Sequence, residues 1–215
     1  DDTIWVHDYH LIPLAEESGL ILPIGEWALQ AACERLALWA QQPALAGLTL
    51  AVNVSPRQFH QSCFVPQVLA ALARTGAEGR HLKLEMTEGL LLADVEDTIA
   101  KMSTLRSYGV GFSLDDFGTG YSSLAYLKRL PLTQLKIDQS FVRDVLTDPN
   151  DAAIARTVVA LANSLGLDVI AEGVETEEQR AFLARNHCHS WQGYLLSKPI
   201  PAADFEQLVR DYNQG

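Results

Sequence analysis

One arrangement recurs from end to end of this chain: a helical tail, a glycine, a short apolar run, then an acid. The clearest copies are "LARTGAEGRHLKLEMTE", "LRSYGVGFSLDDFG" and "ANSLGLDVIAEGVE". Each reads as a helix stopped by glycine at its C′ position and feeding a buried strand. The expected strands are "TLAVNVS", "LKLEMTE", "GFSLDD", "QLKID", "DVIAEGVE" and "SWQGYLLS", and helical periodicity marks 25–41, 65–75, 94–107, 152–165 and 202–213. Thr176 and Gln179 have the spacing of a capping box, and Asp94 and Asp151 suit N-caps. Strands alternating with helices predict an α/β fold with a parallel sheet. With 215 residues, 48% of them hydrophobic, the chain is long enough for one well-buried core and short for two.

The polar residue near the C-terminal end of each expected strand carries the functional signal. These are Asn53, Glu85, Asp115, Lys136, Glu172 and Gln192, spaced by about 30 residues, the length of one βα unit. Glu85, Asp115 and Glu172 sit directly on the apolar runs "LKLE", "FSLD" and "VIAE", where a charge is costly unless it is paired or bound to metal. Six such residues in six successive units describe one mouth of a (β/α)8 barrel, the end at which barrel enzymes do chemistry.

Asn53, Glu85, Asp115, Asp116 and Glu172 offer oxygen alone, which suits magnesium, manganese or calcium over zinc or copper. Carboxylates crowded round one cavity must otherwise take up protons. Just past a strand end, with Gly118 and Gly120 freeing the backbone, Asp115 and Asp116 can both turn to the mouth, one bridging two ions and the other holding the second. Two such ions activate a water and stabilise in-line displacement at phosphorus. Lys136 is placed to orient that water or neutralise developing charge. The Asp-Phe-Gly tripeptide at 116–118 invites comparison with protein kinases, but the glycine-rich phosphate loop, the V-A-I-K lysine and the H-R-D loop are all missing from the sequence.

Composition narrows the partners. Acidic residues outnumber basic ones 27 to 16, for a net charge of −11, so a nucleic-acid polymer meets repulsion and a smaller phosphate compound needs bound cations. Cys33, Cys63 and Cys188 are odd in number and far apart, which argues for reduced thiols in a cytoplasmic domain. His7 and His10 in "HDYH" and the histidines flanking Cys188 lack evident partner ligands and read as surface or packing residues. No apolar run approaches the roughly 20 residues needed to cross a bilayer, and no signal peptide opens the sequence. It starts at Asp1, which suggests a piece of something longer.

The segments "IPLAEESGLILPIGEWAL", "NVSPRQF", "LEMTE", "DDFGTGYSSL", "LKIDQSFV", "AEGVET" and "QGYLLSKPIP", in this order and spacing, resemble the EAL domain, the bacterial cyclic di-GMP phosphodiesterase. The resemblance covers essentially residues 1–215 as one domain. It implies a TIM-like (β/α)8 barrel with one antiparallel strand, and cleavage of one phosphodiester bond of cyclic di-GMP to give linear pGpG with two Mg2+ or Mn2+ ions. It implies that Asn53 and Glu85 hold the first ion, Asp115 bridges, Asp116 holds the second, and Lys136 stands beside the nucleophilic water. Glu172 then places metal and water, while Asp138, Glu175 and Gln192 lie on the substrate side. Glu88 corresponds to the acid that steadies the loop after Asp116, a loop that joins the site to a homodimer interface in the family. Upstream GGDEF or sensory domains are common companions.

The Glu-Ala-Leu strand that names the family, with the arginine soon after it, is missing from the sequence and is expected to precede residue 1. The shortfall against a barrel of roughly 250 residues matches the opening strands. Two further readings stand beside the enzyme: a receptor that binds cyclic di-GMP without cutting it, and a dimerising or partner-binding module. The acids at the strand ends argue against the module, and the glutamate outside the chain decides between the other two.

Overall fold

A computed structural model describes residues 11–92, 94–117 and 124–213, with backbone alone for Leu11, Leu91, Leu92, Asp116, Leu124 and Ala125. His7, His10, Gly118 and Gly120 lie outside the described residues. Two helices, α1 (Leu11–Ser18) and α2 (Ile21–Trp39), precede the first strand, β1 (Leu50–Asn53). There follow α3 (Pro56–Phe59), α4 (Phe64–Thr75), β2 (Leu82–Thr87), α5 (Val95–Ser107), β3 (Gly111–Phe117), α6 (Leu124–Leu127) and β4 (Gln134–Ile137). The chain continues through α7 (Gln139–Arg143), α8 (Pro149–Leu165), β5 (Asp168–Ala171), α9 (Glu177–Arg185), β6 (Ser190–Trp191) and α10 (Ala202–Tyr212).

The six strands form one sheet in the order β1-β2-β3-β4-β5-β6, and all five pairings are parallel. The order never reverses, so the sheet has no switch point of the doubly wound kind; each unit advances one strand in the same direction. The antiparallel strand expected from the resemblance is not among the described residues.

Strand side chains alternate between faces. Leu82, Leu84, Phe112, Leu114, Leu135 and Ile137 are fully buried on one face and join α2, α4, α5 and α8 in a single core cluster. The other face carries Lys83, Glu85, Ser113, Asp115, Gln134, Lys136 and Asp168. The helices therefore cover the apolar face and leave the polar one to the site.

The glycine stops act as expected, with Gly76, Gly109 and Gly166 at φ 75°, 91° and 69°. The Thr176–Gln179 capping box is complete at the start of α9, and Asp94 caps α5 through Asp97 N–H. Asp151 is not an N-cap: Asp148 caps α8, because Pro149 takes the first helical position and leaves Asp151 inside the first turn. "DVIAEGVE" and "SWQGYLLS" are strand only as far as Ala171 and Trp191. Gly193, at φ 156°, presses so close to Val174 that a Cβ there would lie 2.2 Å from its carbonyl oxygen; the chain turns at that crossing.

His187 is the one non-glycine residue with positive φ among the described residues, at 67°. It follows the Asn186 C-cap of α9, where glycine costs nothing. His187→Gly is expected to raise stability by about 1 kcal/mol, read as a higher midpoint in denaturant unfolding.

The helix α10 docks on α2 through Glu206, whose carboxylate accepts from Trp39 Nε1 at 2.9 Å and Arg35 at 3.0 Å. The Trp39 hydrogen bond, opposed by burial and helped by Arg35, holds the Glu206 carboxyl below the usual glutamate range. A carboxyl with its folded value depressed stabilises above its unfolded value and loses that stabilisation as pH falls. Wild type should therefore melt above Glu206→Gln at neutral pH, and the gap in Tm should close below about pH 4.3. A gap independent of pH would assign the effect to packing.

Candidate active site

The site begins with how Asn53 is held. Ser55 Oγ accepts from Gln58 N–H at 3.1 Å, and Pro56 follows it at the helix start, so "NVSPRQF" turns at once into α3. Gln58 is buried beneath Gly25 of α2, where a Cβ would sit 2.2 Å from its Oε1. Arg57 donates to the Glu16 carbonyl at the end of α1. These contacts tie α1 and α2 to the loop just past Asn53, and the β1–β2 register sets Asn53 opposite Glu85.

Lys136 is the centre of the arrangement. It is 2% exposed, and its Nζ lies 2.6 Å from Glu172 Oε1, 2.8 Å from Glu85 Oε2 and 3.2 Å from Asp115 Oδ1. Three strands thus bring three carboxylates to one point. Gln192 joins them by donating from Nε2 to Glu172 Oε1 at 2.7 Å. Burial pulls the Lys136 ammonium down, but Glu85, Glu172 and Asp115 outweigh it and hold the group above the usual lysine value. Glu172 is pushed up to about 7, first by burial and further by Asp115 and Glu85, against the pull of Lys136.

Three acids around one ammonium leave the cluster short of positive charge, which a buried site answers with cations or protons. Among the described residues no three acids, histidines or cysteines close on an ion by themselves; Glu85, Asp115 and Glu172 converge on the lysine instead. The donor set is all oxygen, with Asn53 and Gln192 at its margins, and this fits a hard divalent cation. Asp115 and Asp116 lie inside β3, which runs on to Phe117, and not just past the strand as expected; the β3–β4 register shifts between Leu114 and Phe117, at the pair.

Three other expected site residues lie outside this contact network. Asp138 starts α7, and its Oδ1 accepts from Ser140 N–H at 2.9 Å and from Ser140 Oγ. Glu175 is exposed on the loop after β5, where its N–H donates to Gln179 Oε1 at 2.8 Å. Glu88 is 5% exposed, and both its carboxylate oxygens lack a partner among the described residues. The loop after Asp116, which Glu88 is expected to steady, falls at 118–123, outside those residues.

Sequence reasoning missed Lys83, Ser113 and Gln134. Gln134 Oε1 accepts from Lys83 Nζ at 3.0 Å and from Ser113 Oγ at 3.2 Å. The signal was available: each lies two positions before Glu85, Asp115 or Lys136, on the same face of its strand.

A family profile, the EAL domain, matches residues 2–199. The chain belongs to the EAL domain family. It is 46% identical over 212 residues to MucR of Pseudomonas aeruginosa, a bifunctional diguanylate cyclase/cyclic di-GMP phosphodiesterase, covering 95% of this chain and 30% of that protein. The solved structure of the PaMucR phosphodiesterase in complex with c-di-GMP aligns with a TM-score of 0.88 at 46% identity, covering 94% of this chain and 84% of that one. The manganese/cy-diGMP complex of BlrP1 from Klebsiella pneumoniae aligns with a TM-score of 0.70 at 32% identity, covering 80% and 44%. This EAL chain therefore spans less than a third of MucR. Among its described residues no helix is long and apolar enough to cross a membrane.

Proposed function

We propose that this chain is a cyclic di-GMP phosphodiesterase that hydrolyses the dinucleotide to linear pGpG, its strands forming part of a TIM-like (β/α)8 barrel. The observation that carries the reading is the convergence of Glu85, Asp115 and Glu172 on buried Lys136 at the C-terminal strand ends, in a chain of the EAL family.

In the reaction a water oxygen bonds to phosphorus, the ester bond to the 3′ oxygen breaks, and that oxygen takes a proton as it leaves. Asn53, Glu85, Asp115, Asp116 and Glu172 would hold two Mg2+ or Mn2+ ions, which when bound would supply activation of the water and charge stabilisation at phosphorus. Lys136, fixed between three carboxylates, directs its ammonium at the attacking water or the developing charge. Gln192 keeps the Glu172 carboxylate oriented. Glu175 and Asp138 meet the substrate at the rim, and Glu88 steadies the loop after Asp116. The manganese and calcium complexes of BlrP1 with cy-diGMP support divalent chemistry in a relative. The reading extends to a homodimer in the cytoplasm, attached to GGDEF or sensory domains.

Incubation of the purified chain with cyclic di-GMP and Mn2+, followed by chromatography of the nucleotides, tests it. Conversion to pGpG is expected. Recovery of intact cyclic di-GMP bound to the protein would replace the enzyme by a receptor.

A further inference from the structure

Beneath the acid ring lies a second polar layer that the reaction above does not use. Lys83, Ser113 and Gln134 precede Glu85, Asp115 and Lys136 by two residues on β2, β3 and β4, so each stands on the site's face one step deeper. Ser113 is fully buried and Gln134 is 8% exposed. The Gln134 carboxamide oxygen takes both Lys83 Nζ, at 3.0 Å, and Ser113 Oγ, at 3.2 Å. The registers set Ser113 beside Gln134 and Gln134 beside Asp168. Lys83 is thus directed by a neutral carboxamide that a buried hydroxyl, Ser113 Oγ, fixes in turn.

An apolar side chain at this position would avoid the desolvation that a half-buried ammonium carries. Lys83 stands two residues before Glu85 on the same face of β2, and the oxygen that holds its ammonium, at 3.0 Å, belongs to Gln134, two residues before Lys136 on β4. The charge therefore reaches the site without touching its mouth.

We propose that Lys83 is a positioning residue for the acid ring, anchored by Gln134 and Ser113, whose positive charge restrains Glu85 and sets the ring's affinity for divalent cations. The inference rests on the divalent-cation reading of the site. A cation arriving at Glu85 meets repulsion from Lys83, so the layer keeps binding weaker than the acids alone would give.

Calorimetric titration with Mn2+ at fixed pH and ionic strength tests this on the wild-type chain, Lys83→Met and Lys83→Arg. Lys83→Met is expected to bind Mn2+ about threefold to tenfold more tightly with unchanged stoichiometry. Lys83→Arg, which keeps the charge, should stay within about twofold of wild type. A purely structural role would weaken binding in both variants. Unchanged or weaker binding by Lys83→Met, or equal tightening by Lys83→Arg, overturns the proposal. Should Lys83→Met fail to fold by circular dichroism, Lys83→Gln enters the same comparison with the same expected tightening. A wild-type chain that takes up no Mn2+ overturns the two-metal reading and this inference together, whereas wild-type binding that is indifferent to Lys83 overturns this inference alone.

Discussion

Asp115→Asn is expected to reduce hydrolysis of cyclic di-GMP by more than about 100-fold while leaving the fold in place. The substitution keeps shape and removes charge. Asp115 makes the longest of the three contacts to Lys136, at 3.2 Å, and Glu85 and Glu172 remain at 2.8 Å and 2.6 Å. The ammonium therefore stays paired, and the loss to stability should be small beside the loss to chemistry. Product chromatography measures the first quantity and a thermal melt the second. An unchanged rate would remove Asp115 from the mechanism, and a collapsed melt would make its role structural.

Truncating the lysine itself should act on both quantities. In Lys136→Ala the buried ammonium disappears and three carboxylates face one another with no cation between them. Breaking a buried charge pair from one side costs about 3–5 kcal/mol, so the midpoint in denaturant should drop well beyond any other single change at the mouth. Mn2+ should restore part of that loss, because a cation relieves the same repulsion. In the fraction that stays folded, kcat should fall by about 100-fold to 1000-fold with little change in KM. A raised KM with intact kcat would recast Lys136 as a substrate-binding residue. A variant as stable as wild type would mean that the acids share protons rather than oppose one another.

Much of the candidate site was legible because strand ends announce themselves. "LKLE", "FSLD", "LKID" and "VIAE" each put a charge on an apolar run, and the parallel sheet sets Glu85, Asp115, Lys136 and Glu172 on one face. Asp138 shows what adjacency leaves open. Two residues beyond Lys136, it starts α7 and turns its Oδ1 to Ser140, since the end of a strand is also the start of the next helix. Glu88 shows another boundary: its burial is plain at 5% exposure, yet "LEMTE" by itself does not distinguish a buried acid from a solvated one.

Local grammar belonged to the sequence by itself. Glycine at φ 75°, 91° and 69° after three helices, the Thr176 capping box and the βα alternation all depend on neighbours within a few residues, so a linear reading reaches them. Only the tertiary structure decided that Glu85, Asp115 and Glu172 meet on a single ammonium, that Gln192 attaches to Glu172, and that Lys83 and Ser113 share one carboxamide oxygen of Gln134. Those contacts join strands many residues apart, and a register slip of one residue would turn each side chain to the opposite face. Periodicity names the residues a strand can present, but the pairing of the sheet selects which of them touch.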